Sequence, residues 1–461
     1  MSCVECPKEP TYLVLVNPAT DSCEEAASAT CFPPLGLLSL ATVVRWEVPE
    51  VTVRVVDQAV AGLEGVLAML EPGCVLGISA LATTYRNALK IAQAAAERQC
   101  FVVMGNDHAS RFARMIVQHR PVDAVIVGDH AEFPLARLMR WLANPRGSAP
   151  QIPGLVIRTR DGLLECPPTR YRMDALPEVD RSLLDHTPYC RNFRTRFRNL
   201  PGVQRRTPTT VNFCRGCARA KNRCVFCDIY DLSLDRVPPE RVWREVAHLA
   251  SIGLNYLWEV GDSFTSHGRW LKALAQTNPR NLDVEFFVYA RAEELVRPGL
   301  VATLQQIGVT RVNVGMESGD DAALRVLNKG NPTGARTNIE AARVLKDHGM
   351  LLHASFVLGA PGETEDSLAR TERLVEDLLE LRVLTSVDVA ILHPLPGAPI
   401  WRLVEETMGF EDACGTDLLP MDLPERFARA FTKVSWERLQ ETRARIYNMV
   451  LANGLVAGGF G

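Results

Sequence analysis

Short apolar runs alternate with stretches of helical periodicity over the first 145 residues of the chain. The runs are rich in Val, Leu and Ile, as buried parallel strands usually are, and they lie at Tyr12–Val16, Val51–Val56, Val75–Ser79, Phe101–Met104 and Ala124–Val127. The helical patterns lie between them, at Leu35–Arg45, Tyr85–Arg98, Ser110–His119 and Glu132–Ala143. This alternation predicts an α/β domain with a doubly wound parallel sheet over residues 1–145. A ligand of such a sheet binds beyond the carboxyl ends of the strands, here at Asn17, Ser79–Thr84, Gly105–His108 and Gly128–Glu132.

The pattern breaks between residues 146 and 208, which we interpret as a linker. Leu155–Arg158 and Leu163–Glu165 predict a small hairpin within it. The stretch Arg191–Arg206 then contains six arginines, with Phe193 and Phe197 between them. A solvated linker, or a segment that touches an anionic cofactor, fits this composition better than a nucleic-acid-binding arm does.

A second β/α series extends over residues 209–400. Its predicted strands are Thr209–Phe213, Tyr256–Val260, Val284–Tyr289, Arg311–Val314, Leu352–Leu358 and Ser386–Leu392. Its predicted helices are Pro239–Ile252, Arg269–Thr277, Pro298–Ile307, Gly334–His348 and Glu365–Leu381. Six strands instead of eight predict a partial, open barrel. Residues 401–461 form a helical C-terminal region, in which Pro424–Leu451 is a long amphipathic segment.

Composition narrows the class of protein. The 461 residues are 47% hydrophobic and 23% charged, which is typical of a globular chain. Against 54 Asp and Glu there are 51 Lys and Arg, so a net charge of −3 gives no general attraction to nucleic acid or membrane. No apolar run reaches the roughly 18 residues that a membrane span needs, and the N-terminus does not resemble a signal peptide. We therefore expect a soluble, cytoplasmic protein.

Four of the thirteen cysteines lie within fourteen residues: Cys214, Cys217, Cys224 and Cys227. In a chain without a secretion signal, such a cluster favours metal binding over disulfides. Four thiolates could hold a structural zinc ion, although the six-residue spacer is short for a zinc ribbon. Three thiolates on a loop after the first barrel strand could instead hold a [4Fe-4S] cluster with one open iron. The spacing alone leaves both interpretations open.

The remaining cysteines are scattered along the chain. Cys74 and Cys100 each introduce an apolar run, and we expect them to be small buried hydrophobic residues. Cys3 and Cys6 form a CxxC pair near the N-terminus and are a weaker candidate for metal binding.

Glycine-rich motifs at successive strand ends decide between the two metal sites. They are Arg215-Gly216-Cys217 with Cys224-Val225-Phe226-Cys227, then Gly261-Asp262-Ser263-Phe264, Gly315-Met316-Glu317-Ser318-Gly319, Gly359-Ala360-Pro361-Gly362-Glu363-Thr364 and Pro394-Leu395-Pro396-Gly397-Ala398-Pro399. In this order they resemble the radical S-adenosylmethionine (SAM) superfamily, in particular its cobalamin-binding branch. Upstream, Pro33-Pro34-Leu35-Gly36-Leu37-Leu38 and Gly105-Asn106-Asp107-His108-Ala109 resemble the cobalamin-domain motifs of that branch. The resemblance covers roughly residues 11–400, and it implies a Rossmann-like cobalamin-binding domain before a radical SAM partial barrel.

The resemblance also implies roles for residues of the barrel. Cys217, Cys224 and Cys227 would bind the [4Fe-4S] cluster, with Cys214 as an alternative because six residues separate the first two cysteines where the family has three. The residues expected to bind SAM are Phe226, Asp262, Arg291, Glu317, Ser318, Val357 and Gly359. Among them, Glu317 and Ser318 would bond the ribose or aminoacyl part, Arg291 would pair with the carboxylate, and Phe226 and the Val357–Gly359 backbone would line the adenine.

Cobalamin would contact the strand-end loops of the first domain. The residues expected there are Asn17, Gly36, Ser79, Thr83, Gly105, His108, Gly128 and Glu132. The chain departs from methionine-synthase-like domains because it lacks the D-x-H-x-x-G motif that supplies a histidine ligand to cobalt; Asp107 and His108 are adjacent. His108 would therefore contact the edge of the ring or bond at the surface.

The reaction implied by the resemblance is C-methylation of an unactivated carbon in a small molecule. A 5′-deoxyadenosyl radical would remove the hydrogen, methylcobalamin would donate the methyl group, and a reductant such as flavodoxin or ferredoxin would supply electrons. Two alternatives stay open. One is an enzyme of the same fold that rearranges or cyclises its substrate without cobalamin, and the other is a zinc-stapled nucleic-acid-binding protein.

Overall fold

The computed structural model describes residues 12–20, 30–144, 150–159, 162–329, 334–409, 418 and 422–458. Cys3 and Cys6 lie outside this part. The chain divides into two compact units, with the boundary between Tyr189 and Cys190. The N-terminal unit thus includes most of the segment interpreted as a linker, and the C-terminal unit begins about twenty residues before the first predicted barrel strand.

The N-terminal unit is built on a seven-stranded sheet. Its strands are β1 (Tyr12–Asn17), β2 (Thr52–Asp57), β3 (Val75–Ser79), β4 (Phe101–Gly105), β5 (Ala124–Ile126), β6 (Leu155–Thr159) and β7 (Gly162–Glu165). The order is β2-β1-β3-β4-β5-β6-β7. The first five strands are parallel, whereas β6 and β7 pair antiparallel, so the predicted hairpin extends this sheet. Strand order reverses between β1 and β3, and ligands of open α/β sheets bind at such a point.

Helices cover this sheet where the sequence predicts them, with two differences. They are α1 (Leu35–Glu47), α2 (Gln58–Leu67), α3 (Tyr85–Glu97), α4 (Asp107–Arg111), α5 (Ala113–His119) and α6 (Glu132–Ala143). Helix α2 was not predicted: its apolar pattern is weak, and only Gln58 and Val66 are buried. The predicted helix at Ser110–His119 is two short helices that meet at Phe112.

The C-terminal unit contains a second seven-stranded sheet, in which strands follow chain order. Its strands are β8 (Pro208–Val211), β11 (Tyr256–Glu259), β12 (Glu285–Ala290), β13 (Val309–Glu317), β14 (Leu351–Leu358), β15 (Leu384–Ile391) and β16 (Val456–Ala457). All neighbours are parallel. A separate antiparallel pair joins β9 (Cys214–Arg215) to β10 (Asp235–Arg236). The predicted partial α/β barrel is confirmed, and two residues near the C-terminus add its seventh strand.

The helices of this unit lie between the strands. They are α7 (Thr187–Arg196), across the unit boundary, α8 (Pro239–Ser251), α9 (Gly268–Thr277), α10 (Ala292–Leu295), α11 (Leu300–Ile307), α12 (Asp321–Val326), α13 (Ala335–Asp347), α14 (Glu365–Leu381), α15 (Trp401–Met408), α16 (Leu423–Phe431) and α17 (Trp436–Ala452). The long amphipathic segment is thus two helices, because Ser435 caps a new helix with its side chain. In the described part of the chain, no helix is long and apolar enough to cross a membrane.

The arginine-rich segment is packed at its two phenylalanines and at Arg206, whereas Arg191, Arg198 and Arg205 are exposed. Phe193 and Phe197 are 0% and 1% exposed, and the Phe193 ring lies 5.0 Å from that of Tyr256. Arg206 pairs with Glu285, with its guanidinium mostly buried. The expectation of a solvated linker was wrong for these residues, because the phenylalanines supply core contacts that a count of arginines conceals.

Candidate functional site

The cysteine loop begins at the carboxyl end of β8 and is held by the end of β11. Glu259, the last residue of β11, is fully buried and accepts hydrogen bonds from the amides of Phe213 (2.8 Å), Cys214 (3.3 Å) and Gly261 (3.0 Å). Burial raises the pKa of Glu259 to about 7 against the opposing effect of these amides. Glu259 was not predicted from the sequence, although a carboxylate that ends an apolar strand just before a Gly-Asp motif is a usable signal.

Cys214 points away from the loop and into the protein. Its side chain is 1% exposed, and its Sγ lies 3.7 Å and 3.8 Å from the two carboxylate oxygens of Glu259. Burial, together with this carboxylate, raises the pKa of the Cys214 thiol well above its usual value. These surroundings disfavour the thiolate that a metal requires, so the geometry supports Cys217 as the first ligand.

The Gly261-Asp262-Ser263 motif holds the first turn of the loop. The Asp262 carboxylate accepts from the Gly216 amide at 3.2 Å, and the Ser263 hydroxyl accepts from the Ala218 amide at 3.2 Å. Gly216 has a φ of +82°, and a Cβ there would overlap with the Ser233 carbonyl. Asp262, which we expected to bind SAM, therefore orders the loop beside Cys217, while its side chain lies at an exposed position.

The six residues between Cys217 and Cys224 are fastened to the neighbouring barrel loops. The Asn328 side chain donates to the Asn222 side chain (2.7 Å) and to the Arg223 carbonyl (2.8 Å). Arg219 lies 3.8 Å from the Glu293 carboxylate. Beyond Cys224, the Val225 amide donates to the Leu327 carbonyl at 3.1 Å. The insertion relative to the family is thus an ordered part of the barrel mouth.

Cys217, Cys224 and Cys227 are all partly exposed, in contrast to Cys214. Burial, with a contribution from the other two thiols, raises the pKa of Cys227 to about 11. In the part of the chain that the structure describes, no three His, Cys, Asp or Glu side chains are already spaced as metal ligands. The fit to an iron–sulfur cluster therefore rests on the donor set, three partly exposed cysteines on one anchored loop. The ligand assignment stays a prediction.

Four charged side chains beside the loop form what we call the charged cluster: Arg291, Glu293, Glu317 and Lys329. Lys329 Nζ lies 2.7 Å from Glu317 Oε1, and the two side chains are only 13% and 6% exposed. Arg291 pairs with Glu293, and the Arg291 guanidinium also donates to the Lys329 carbonyl. Burial lowers the pKa of Lys329, but Glu317 and then Cys224 outweigh it and the net shift is upward. Lys329 was not predicted, and its position after α12 shows no periodic signal.

The structure separates Glu317 from Ser318. Glu317 ends β13 with a φ of +58°, at an irregularity in its pairing with β14, and its carboxylate lies over Gly315. Ser318 is 1% exposed, and its hydroxyl bonds the Thr371 hydroxyl (3.2 Å) and the Asp320 amide (3.1 Å). Glu317 thus belongs to the charged cluster, whereas the Ser318 hydroxyl stabilises the loop through its own hydrogen bonds.

The residues expected near the adenine differ in exposure. Phe226 and Val357 are partly exposed. Gly359 is buried with a φ of +86°, and its amide donates to the Glu363 carboxylate at 3.1 Å. A Cβ at Gly359 would touch Leu439 of α17 at 3.5 Å. The presence of glycine at position 359 is therefore explained by the backbone conformation and by packing against α17, and it requires no ligand.

In the N-terminal unit, the strand ends nearest the point of reversal carry polar side chains. The Asn17 amide donates to Asp57 at 3.2 Å, and the Tyr189 hydroxyl donates to the other Asp57 oxygen at 2.9 Å. Burial raises the pKa of Asp57 against the effect of these bonds. The Asn106 side chain donates to Ser79 at 2.9 Å, and Thr83 is exposed in the next loop. These strand-end loops therefore leave polar groups accessible at the expected ligand position.

His108, Gly128 and Glu132 are used within the fold. His108 is 4% exposed, and its ring lies 4.2 Å from Tyr85 and 4.9 Å from Phe112. His108 is therefore not at the surface, which was one of the two positions expected for it; contact with the edge of the ring stays a prediction. The Gly128 amide donates to Ser110 at 3.0 Å.

Glu132 accepts from Ser39 at 3.0 Å and is bonded to the Tyr171 hydroxyl, so its carboxylate links α1, α6 and the segment after β7. By contrast, Gly36 in the first turn of α1 is exposed, and a Cβ there would meet nothing within 4 Å.

Comparison with known proteins agrees with this architecture. Residues 211–375 match the family model of the radical SAM superfamily. An uncharacterized methyltransferase of Pyrococcus horikoshii is 25% identical over 85% of this chain and 82% of its own length.

Two solved structures share the fold. One is the cobalamin-dependent S-adenosylmethionine radical enzyme OxsB with aqua-cobalamin and SAM bound, at a TM-score of 0.69 and 16% identity over 95% of this chain and 66% of OxsB. The other is the radical SAM methyltransferase TsrM from Kitasatospora setae with cobalamin and a [4Fe-4S] cluster, at a TM-score of 0.68 and 18% identity over 97% of this chain and 93% of TsrM. Residues 211–375 therefore match the radical SAM superfamily, and the chain has the fold of solved radical SAM enzymes that bind cobalamin.

Proposed function

We propose that this enzyme is a cobalamin-dependent radical SAM methyltransferase that methylates an unactivated carbon of a small molecule. The observation that carries the proposal is a single chain with an anchored three-cysteine loop beside a buried charged cluster, and with open strand-end loops in a separate doubly wound unit. The similarity to a methyltransferase over most of the chain favours methylation over rearrangement or cyclisation.

The cofactors supply the reactive chemistry. When bound, the [4Fe-4S] cluster and SAM provide a 5′-deoxyadenosyl radical that abstracts hydrogen, and methylcobalamin provides the methyl group. The protein's part is to bind and orient these groups and the substrate.

Cys217, Cys224 and Cys227 would hold the cluster, and the Asp262 and Ser263 bonds to the loop fix the position of Cys217. The Arg291 guanidinium and the Lys329 ammonium lie within electrostatic range of Cys224. Two cations here would favour both an anionic thiolate cluster and the SAM carboxylate. The Glu317 carboxylate, paired with Lys329, would accept hydrogen bonds from the ammonium or ribose of SAM.

In the N-terminal unit, the loops after β1, β3, β4 and β5 would hold the corrinoid at the point where strand order reverses. Ser79, Thr83 and Gly105 lie on these loops, and the open surface at Gly36 leaves room for a ligand against the first turn of α1. His108 is turned into the aromatic contact with Tyr85 and Phe112, so cobalamin would bind without a histidine on cobalt. An external one-electron donor, such as flavodoxin or ferredoxin, would serve the cluster.

The cysteines test the proposal directly. Cys→Ala at position 217, 224 or 227 should abolish 5′-deoxyadenosine formation and most iron binding, whereas Cys214→Ala should keep most of its iron. Iron and sulfide counts after anaerobic reconstitution decide the ligand set. If Cys214→Ala empties the site and Cys217→Ala does not, the assignment is wrong.

Cobalamin and methylation need a second measurement. The purified enzyme should retain a corrinoid, and anaerobic assays with SAM, reductant and methylcobalamin should methylate a candidate metabolite. A protein that forms 5′-deoxyadenosine but binds no corrinoid would be the cobalamin-free enzyme instead.

A further inference from the structure

Two cysteines of the N-terminal unit lie in direct contact, far along the strands from the proposed cobalamin loops. Cys74 Sγ and Cys100 Sγ are 3.2 Å apart, and the residues are only 2% and 6% exposed. Cys74 immediately precedes β3 and Cys100 immediately precedes β4. They therefore lie at the amino ends of two neighbouring parallel strands.

The strand register makes this contact a property of the fold. Val75 pairs with Phe101, and the Phe101 amide donates to the Cys74 carbonyl at 2.9 Å, so the two cysteines stand side by side. Neighbouring strands are about 4.7–4.9 Å apart. This spacing is within the Cα separation of about 4.4–6.8 Å that a disulfide requires. A bond between these sulfurs needs movement of the side chains but not of the strands.

We propose that Cys74 and Cys100 form a reversible redox site, which a low-molecular-weight disulfide oxidises to an intrachain disulfide. The cross-link would close residues 74–100 into a loop that contains β3 and α3. It would thereby join the amino ends of two central strands. The site uses none of the residues assigned to the cluster, SAM or cobalamin, so it stands whether or not the proposed function is correct.

The two thiols have unequal surroundings that suit exchange. The hydrogen bond from Cys74, with help from Arg98, lowers the pKa of Cys100 against the effect of burial, while that of Cys74 is raised. The Cys100 thiolate would attack the small disulfide and release one thiolate. Cys74, after losing its proton to solvent, would attack the Cys100 sulfur and release the second. Two protein thiols are oxidised, and one small disulfide is reduced to two thiols.

Peptide mapping of the cluster-loaded enzyme tests this site. The enzyme is equilibrated anaerobically in glutathione buffers of increasing oxidised fraction until its thiol pattern no longer changes, then alkylated and digested with trypsin. Cleavage after Arg54, Arg86, Arg98 and Arg111 gives one peptide with Cys74 alone and one with Cys100 alone. We expect these two peptides to be joined in most molecules at the oxidising end, and to separate after dithiothreitol.

Matched variants show whether the pair is specific. Cys100→Ser should leave Cys74 alkylated at every glutathione ratio or joined to glutathione, whereas Cys166→Ser, which removes another thiol of the same unit, should leave the cross-link unchanged. The proposal is overturned if both peptides of the parent enzyme are fully alkylated across the whole range. It is also overturned if Cys74 or Cys100 joins a different cysteine as readily as its neighbour.

Discussion

Both units place loops at the carboxyl ends of parallel strands, but glycine has a different meaning in each. In the barrel, a Cβ at Gly216 would overlap with the Ser233 carbonyl, and one at Gly261 would overlap with the Cys214 carbonyl. In the doubly wound unit, a Cβ at Gly36 meets nothing, and one at Gly105 makes an ordinary contact at 3.6 Å with the Ile126 carbonyl. Gly216 and Gly261 are thus required by the protein's own backbone. At Gly36 and Gly105, a requirement for glycine would have to come from a ligand.

The charged and polar side chains of the two units differ in the same way as their glycines do. At the barrel mouth, Glu317 and Lys329 neutralise each other while mostly buried. At the sheet ends, Asn106 and Thr83 face solvent, and the buried carboxylates of Asp57 and Glu132 are bonded within the fold, the first to Asn17 and Tyr189 and the second to Ser39. The charges of the barrel mouth are therefore already paired, Lys329 with Glu317 and Arg291 with Glu293. The sheet ends offer accessible loops.

The largest effect is expected where glycine allows backbone to touch backbone. Gly216→Ala should prevent the first turn of the cysteine loop from closing and should remove most of the iron from the reconstituted protein. Gly253→Ala is the matched control, because Gly253 has a similar φ of +84° but open space around it. That variant has the strain of a left-handed backbone conformation without the steric overlap, so it should lose roughly 1–2 kcal/mol of stability and keep its iron. Equal iron in both variants would contradict the close-approach argument.

Glu259 predicts a pH dependence of stability in the cluster-free protein. Its pKa of about 7 in the folded state lies above the ordinary value of 4.5. The folded state therefore holds its proton more tightly than the unfolded state does. The contribution of Glu259 to stability should be largest below about pH 4.5, fall between about pH 4.5 and 7, and level off above, a change of up to roughly 3 kcal/mol. Chemical denaturation of the parent and of Glu259→Gln at several pH values measures it, and the variant should lack this part of the slope.

Glu317→Gln should weaken SAM binding by roughly ten- to a hundredfold, because charge-assisted hydrogen bonds contribute about 1.5–3 kcal/mol. Iron content should not change. The structure adds a second consequence: the variant leaves the buried Lys329 ammonium without its counter-ion, so its melting temperature should fall.

The double variant Glu317→Gln/Lys329→Met separates these effects. It should recover stability, because neither charge is then buried alone, while SAM affinity stays low. Unchanged SAM affinity and turnover in Glu317→Gln would show that Glu317 only balances Lys329.

The sequence predicted elements well and side-chain partners poorly. Strand β3 and helix α6 have the predicted bounds, because apolar periodicity reports burial directly. The motif residues Asp262 and Glu317 lie at the barrel mouth as predicted, since strand ends share an edge.

Lys329 and Glu259 could not be assigned in the same way. Lys329 is brought to Glu317 by the turn after α12, and Glu259 gains its role only when β8 and β11 lie side by side. The burial of His108 could not be predicted either, because it depends on Tyr85 from another helix as well as on Phe112, one helical turn further along the chain.

The smallest effect on the fold, and the sharpest test of the contrast, is expected at Gly36. In the first turn of α1 a Cβ has open space, and alanine favours a helix over glycine by roughly 0.5–1 kcal/mol. Gly36→Ala should thus leave the melting temperature of the cofactor-free protein unchanged or slightly higher, and yet weaken hydroxocobalamin binding. His108→Ala should do the reverse, with stability lower by roughly 0.5–3 kcal/mol and an unchanged corrinoid spectrum, because its ring packs inside the fold. Equilibrium titration followed by absorbance, beside a thermal melt of each variant, measures both quantities. If Gly36→Ala binds the corrinoid as tightly as the parent protein does, the ligand does not approach the surface at the start of α1. The glycine at position 36 would then not be explained by ligand binding.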